Sequence, residues 1–360
     1  MNQIHVVEVR EEARRVFEIC NACRYCEGFC AVFQEMTDHR TFDVAEIDHL
    51  ANLCHNCTAC YHACQYKPPH EFNVNVPRTL AELRPLTWQV YAWPQPFARA
   101  LETNGIAVTL AICAVLATFL IAAFALVGQD TLSSTHTGPG AFYQVIGHST
   151  IVFLAGGASL WAVLATTLSA LAYKNVIGPM HQVAWSAVIK DLTSLRHLGG
   201  GHGDGCNEAD DAFSNRRRIY HHLTMWGFLL CFAATCVATL YELVLDRLSP
   251  FPLLSLPVIL GSVGGLGLII GPIGFLLTNR KFHPDTRIAT GMDNLFLILL
   301  LMISITGFLL LGFRETPLMG ALLAVHLALV LAFFITLPYT KFVHAIYRTI
   351  AIARFHRDKG

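Results

Sequence analysis

From Ile106 to about residue 340 the chain is written in apolar runs, each long enough at about 20 residues to cross a bilayer. Nothing else in the sequence restricts the fold so strongly. A backbone inside hydrocarbon must satisfy its own hydrogen bonds, and a single run of this length does so as a helix. Six spans are expected, near residues 106–127, 143–172, 220–241, 253–277, 291–313 and 318–340. The fourth is dense in glycine (Gly261, Gly264, Gly265, Gly267, Gly271, Gly274), which points to close helix packing rather than to a nucleotide loop. Residues 1–104 are polar by comparison. Only 14% of the chain is charged, against about a quarter in soluble domains, and the deficit lies in the spans.

Lysine and arginine set the expected orientation. The loop 174–219 carries Lys174, Lys190, Arg196 and Arg216 to Arg218, and the loop 279–290 carries Arg280, Lys281 and Arg287. The tail carries Arg348, Arg354, Arg357 and Lys359, while the three remaining loops hold only Arg247 and Arg314. The positive-inside rule puts the head, both basic loops and the C-terminus in the cytoplasm. The opening MNQIHVVEVREEARRVFEIC has no apolar core and does not read as a secretory signal. A formal net charge of zero gives no reason to expect nucleic acid.

The head carries CNACRYCEGFC (Cys20 to Cys30) and, with each cysteine 34 residues later, CHNCTACYHAC (Cys54 to Cys64). The spacing C-x2-C-x2-C-x3-C wraps three thiolates around one four-iron cluster and sends the fourth to a second cluster, so it works in two copies. Cluster one is assigned to Cys20, Cys23, Cys26 and Cys64, and cluster two to Cys54, Cys57, Cys60 and Cys30. Zinc is the competing reading, but zinc prefers two separated pairs of ligands. The ferredoxin pattern has proline after its fourth cysteine. Here Ala31 and Gln65 stand there, with Pro68 and Pro69 a little later.

The rest of the head reads as a helix over 4–20, a short helix in DVAEIDHLANLC, and a proline-rich segment, 66–104. That segment holds Trp88, Tyr91 and Trp93 and reads as an interfacial collar. The expected fold is mainly α: a cytoplasmic ferredoxin-like helical head with two [4Fe–4S] clusters, residues 1–104, and a six-helix transmembrane cytochrome b-like bundle, residues 105–360.

Histidine at membrane depth is costly and tends to be functional. His148 in span two and His326 in span six fall toward the outer face, while His221, His222 and His344 fall toward the inner face. His326 and His344 are 18 residues apart, five helical turns or about 27 Å, which spans the hydrocarbon core on one helix face. Pro338 between them can kink that helix. Two b-type haems follow from this sorting: an outer one on His148 and His326, and an inner one on His344 and His222, with His221 as the alternative to His222. The rival reading makes these histidines interhelical hydrogen-bonding groups, or solvated ones at the interface. No C-x-x-C-H is present for covalent attachment. Cys113, Cys231 and Cys236 read as small buried apolar residues. The loop LGGGHGDGCNEADDAFSNRRR (198–218), with His202, Asp204 and Cys206, reads as a flexible cytoplasmic loop in preference to a cap on the inner haem or a quinone pocket.

The doubled cysteine run, six spans, YHHLTMWGF (220–228) and LPYTKFVHAIYR (337–348) resemble the tricarballylate/citrate utilization protein B family over the whole chain. The resemblance implies an iron–sulfur and b-haem protein of the bacterial inner membrane, surrounded by lipid. It implies reoxidation of the FAD of a partner, a fumarate-reductase-like flavoprotein dehydrogenase acting on tricarboxylates such as tricarballylate, and delivery of the electrons to quinone. The cysteines of both runs carry over; the haem-ligand positions rest on topology. No G-x-G-x-x-G stands in this chain to hold FAD itself. Two rivals remain. The same wiring could run backward, from quinol to a heterodisulfide-reductase-like reductase. The chain could instead be a transporter or redox sensor, against which no span interior carries Asp, Glu, Lys or Arg and nothing resembles an output domain.

Overall fold

The structure, a computed structural model, describes residues 3–101, 105–200, 203–278, 283, 285 and 291–359. His202, Arg280, Lys281 and Arg287 lie outside the described residues.

The head is built from short helices whose ends are dictated locally. α1 (Gln3–Cys23) buries Val6, Val9, Ala13, Val16 and Phe17, the spacing of one amphipathic stripe. α2 (Ala31–Met36) starts from Cys30. α3 (Val44–Leu53) is capped by Asp43, whose carboxylate accepts from the Glu46 amide at 2.9 Å. α4 (Ala59–His62) follows the second cysteine loop. α5 (Val76–Tyr91) is capped by Asn75 and tolerates Pro77 in its first turn, where an amide has no helical partner. α6 (Gln95–Ala100) leads to the membrane.

α5 is no interfacial collar. Trp88 and Tyr91 are buried, with the Trp88 indole donating to Asn52 at 2.9 Å and the Tyr91 hydroxyl to Asp48 at 2.6 Å. Asp48 also accepts a two-pronged bond from Arg10, at 2.6 and 3.0 Å. Only Trp93 faces outward, near Trp161.

The six spans are α7 (Ile106–Val127), α10 (His148–Ile177), α12 (Arg216–Leu245), α13 (Leu256–Thr278), α14 (Gly291–Phe313) and α15 (Met319–Thr336). The short helices α8 (Gln129–Leu132) and α9 (Ala141–Val145) lie between the first two. Leu110, Phe124, Phe153 and Leu160 point outward, the face a lipid tail would cover. Cys113 and Cys236 are also exposed, contrary to their reading as buried residues; only Cys231 is half-buried, its thiol toward the Gly261 carbonyl. The glycines of α13 do what their density suggests. A Cβ on Gly264 would meet the Gly227 carbonyl oxygen at 2.7 Å, and one on Gly267 the Leu223 oxygen at 2.6 Å, so α12 and α13 touch backbone to backbone.

α11 (Trp185–Ser194) and α16 (His344–Lys359) belong to the head's packing. Val188, Ala351, Ile352 and Phe355 complete the core that α1, α3 and α5 begin. α16 is a separate helix. α15 stops at Thr336, and residues 337–343 form two tight 3-10 turns around Pro338 and an extended Thr340. Proline has no amide to continue the ladder. His326 and His344 therefore do not share one helix, and the five-turn arithmetic does not hold. The C-terminal helix instead lies on the head, with Arg354 paired to Glu46 and Lys359 to Asp38.

Candidate functional site

Both cysteine loops turn through left-handed residues: Arg24 after Cys23, and Asn56 and Thr58 on either side of Cys57. Asparagine adopts this region readily, whereas a β-branched threonine is an outlier there and marks a conformation held from outside. Asn207 holds it. Its carbonyl accepts from the Thr58 hydroxyl and its amide donates to the Cys57 carbonyl at 3.1 Å. Asn207 lies in a hairpin of β1 (Cys206–Asn207) and β2 (Phe213–Ser214). Within the segment 198–218, expected to be a flexible loop, the described hairpin is thus a brace on the second cysteine loop. Cys206 is fully buried in it and donates to the Leu198 carbonyl at 3.1 Å.

The thiols influence one another mostly within two groups, with Cys26 also acting across them on Cys60 and feeling Cys30. Burial, then Cys64, Cys26 and Cys23, push Cys20 up to about 12. Burial, then Cys64 and Cys23, do the same to Cys26, and Cys64 in turn feels Cys23. Burial and Cys54 push Cys30 up to about 12. Cys57 is raised by burial and Cys30, and Cys60 by burial, Cys57, Cys54 and Cys30. Cys30, Cys54, Cys57 and Cys60 also line one small cavity. Four buried thiols facing one another cannot ionise without a cation among them, a demand that the iron of a cluster would meet. Among the described residues no three side chains gather closely enough for one metal ion.

A second, larger cavity of about 700 Å³ lies between the head and the helices α12, α14 and α16, within the range that holds a large cofactor. His55 and Asn56 line both cavities, so the second cysteine loop forms part of its wall. The His55 ring is anchored on the Leu53 carbonyl at 2.8 Å, and burial with Arg348 nearby holds it well below its ordinary value. Across the cavity stand His221 of α12 and His344 of α16, their ring centres 6.1 Å apart and their planes at 81°. His344 Nδ1 is bonded to the Lys341 carbonyl, which fixes the tautomer and leaves Nε2 as the lone pair. Burial, then Arg348 and His221, keep His344 neutral. His221 Nδ1 is buried without a hydrogen-bond partner.

The ring facing His344 is thus that of His221. His222, set first on sequence grounds, is turned away toward Arg218 and the Ser194 carbonyl, because one residue rotates a side chain by about 100°. The outer pair is not assembled. His148 opens α10 beside the Tyr143 ring and lies 3.6 Å from Glu242. His326 shares a hydrogen bond with Thr306 at 3.0 Å and packs on Gly307. No ring contact joins His148 to His326 among the described residues.

Arginines are the residues that sequence reasoning passed over. Arg84, Arg217 and Arg348 all line the large cavity and donate to carbonyls of residues 51–56. Burial, then Arg84, pull Arg348 down to about 9, with Cys54 opposing. The available signal was spacing: Arg217 is one turn before His221, and Arg348 one turn after His344, so each pair shares a helix face.

Compared with known proteins, residues 100–360 match the family described as citrate utilization protein B, and residues 13–89 match the citrate utilization protein B Fer4-like domain. The citrate utilization protein B of Escherichia coli is 45% identical over 98% of this chain and 94% of its own length. No solved structure matches.

Proposed function

The chain belongs to the citrate utilization protein B family, whose Fer4-like domain points to iron–sulfur electron transfer, and from that premise we propose a membrane subunit that drains a flavoprotein into the quinone pool. The donor is the reduced FAD of a separate dehydrogenase acting on a tricarboxylate of the citrate or tricarballylate class. Two [4Fe–4S] clusters sit on Cys20, Cys23, Cys26 and Cys64 and on Cys30, Cys54, Cys57 and Cys60, and one b-type haem sits on His221 and His344. These groups, when bound, supply one-electron carriers, and the chain supplies spacing, burial and ligation.

One observation carries the haem reading: the 6.1 Å between the rings of His221 and His344 across a cavity whose wall is the second cysteine loop. Two metal–imidazole bonds of about 2 Å, plus about 1 Å from each nitrogen to its ring centre, place facing rings about 6 Å apart. The lone pair of His344 is free for a metal, and its other nitrogen is held as ligating histidines are held. The order of carriers follows from exposure. Tyr25, between Cys23 and Cys26, is 66% exposed at the head surface, where a soluble partner can approach. The second loop is buried against the cavity. The head and α16 pack together on one side, and the basic residues there support a cytoplasmic setting for it. One haem is proposed, since His148 is engaged by Glu242 and Tyr143.

The test is a dithionite-reduced minus oxidised spectrum of the detergent-purified chain, with haem and iron counted. About one haem and about eight cluster irons are expected. His221→Ala and His344→Ala should each lose the haem and keep the clusters, while His222→Ala keeps both. A wild-type chain with clusters and no haem would overturn the haem assignment and leave transfer from cluster to quinone.

A further inference from the structure

His344 stands at a joint. α15 ends at Thr336 and α16 begins at His344 itself, so no helical turn before it fixes its ring. What precedes it is the connection 337–343, LPYTKFV. Within that connection Lys341 reaches both ways. Its carbonyl accepts from His344 Nδ1, and its Nζ lies 2.6 Å from Asp293 Oδ2. Asp293 stands in the first turn of α14, where helix amides favour negative charge. Asp293, Lys341 and His344 all line the large cavity.

The residues after Lys341 are packed by apolar contact. The Phe342 ring lies 5.2 Å from that of Phe228, and Val343 is buried with Trp88, Tyr91, Tyr173 and Tyr347. Such contacts hold a segment in place but have no direction of their own. Lys341 is the one charged residue of the connection, and its pair with Asp293 is a directional tie to another span. The two side chains are 36% and 26% exposed, and a pair so placed adds little to stability. Its consequence lies in where it holds the Lys341 peptide. The direction of that carbonyl sets the rotation of the His344 ring about its own side chain.

We propose that Asp293, acting through Lys341, sets the plane of the His344 ring against that of His221 and so maintains the 81° between them. This rests on the haem reading above, in which the two rings are the axial ligands. Asp293 and Lys341 are thus positioning residues, the outer partners that orient a ligating histidine.

The test uses the full-length purified chain loaded with haem. Asp293 also acts on the charge of Arg84, so a shifted potential would not isolate the ring. Its orientation is read from electron paramagnetic resonance of the oxidised haem. Perpendicular imidazole planes give a strongly anisotropic low-spin signal, and parallel planes give a rhombic one. Wild type should give the anisotropic signal. Asp293→Asn and Lys341→Met should each convert most of it to the rhombic form while keeping both clusters, and the double variant should change it no further. Each should also release haem to a scavenging globin about tenfold faster. In His344→Gly filled with N-methylimidazole, a ring with no N–H for the Lys341 carbonyl, adding Asp293→Asn should leave the signal unchanged. A rhombic signal in wild type would overturn the positioning role while leaving the haem in place, and it is read even if the variants do not fold. So would an anisotropic signal that survives both Asp293→Asn and Lys341→Met, or an effect of Asp293→Asn that persists with N-methylimidazole. A wild-type chain that takes up no haem would overturn both readings.

Discussion

Arg348 donates to the carbonyl of Cys54 at 2.7 Å, joining the C-terminal helix to a cysteine loop 294 residues earlier in the chain. Cys54 follows the last residue of α3, where helix carbonyls lack intrahelical donors. Arg348 supplies one to Cys54 and another to Asn52. Because His344 is one turn away on the same helix, a single arginine fixes the position of the loop relative to that histidine.

Arg348→Ala should therefore loosen the second cluster selectively. Carbonyls left buried and unpaired cost about 1–3 kcal/mol. The expected outcome is a severalfold faster loss of the Cys30/Cys54/Cys57/Cys60 cluster to a chelator, followed by electron paramagnetic resonance, while the first cluster decays at its wild-type rate. Equal acceleration of both clusters would show that Arg348 acts on the head as a whole.

Cross-ligation of the clusters predicts a pattern among double variants. If Cys20 and Cys64 serve one cluster, Cys20→Ser with Cys64→Ser should remove about four irons, no more than either change alone. Cys20→Ser with Cys30→Ser should remove about eight, since those residues belong to different clusters. Iron counting on purified protein reads this directly. The reverse pattern would mean that each run holds its own cluster.

The iron–sulfur character of the head and the six spans could be read from the sequence because both are local signals. A spacing of two or three residues, or a run of apolar ones, means the same thing in any context. What could not be read depended on rotation and on backbone acceptors. His221 and His222 differ by about 100° around α12, and nothing in their neighbours says which faces inward. The helix break after Thr336 was signalled by Pro338, but a proline inside a span can equally kink it. Arg84 and Arg217 act on carbonyls, which carry no side-chain signature. Asn207 is similar: its grip on Thr58 and Cys57 is made by its backbone.

The α12–α13 contact gives a graded packing test. A Cβ on Gly264 would meet backbone atoms of Gly227 and Cys231 at 2.7 and 2.8 Å, whereas one on Gly261 would rest 3.7 Å from the Ala234 methyl. Backbone cannot swing aside as a side chain can. Gly264→Ala should lower stability by about 1–3 kcal/mol, seen as a lower thermal midpoint in detergent. Gly261→Ala should be nearly neutral. If both variants melt together, the helices are not in backbone contact.

Protonation of His39 should contribute to docking of the C-terminal helix. Its imidazole lies 3.7 Å from Glu35 and 3.1 Å from Glu46, and Glu46 also holds Arg354 of α16. Glu35 first, and Glu46 after burial is offset, raise His39 above its ordinary value. A group with a raised folded-state value favours folding while protonated. Its contribution is therefore complete below the unfolded value of about 6.5 and fades as pH rises through the higher folded one. Wild type should exceed His39→Gln in thermal midpoint below about pH 6.5, and the gap should shrink as pH rises above it. His49, fully buried against Glu35 and held below its ordinary value by that burial, tends the opposite way with pH, so the comparison must be between wild type and variant at each pH. A gap that stays constant across the range would assign His39 to packing alone.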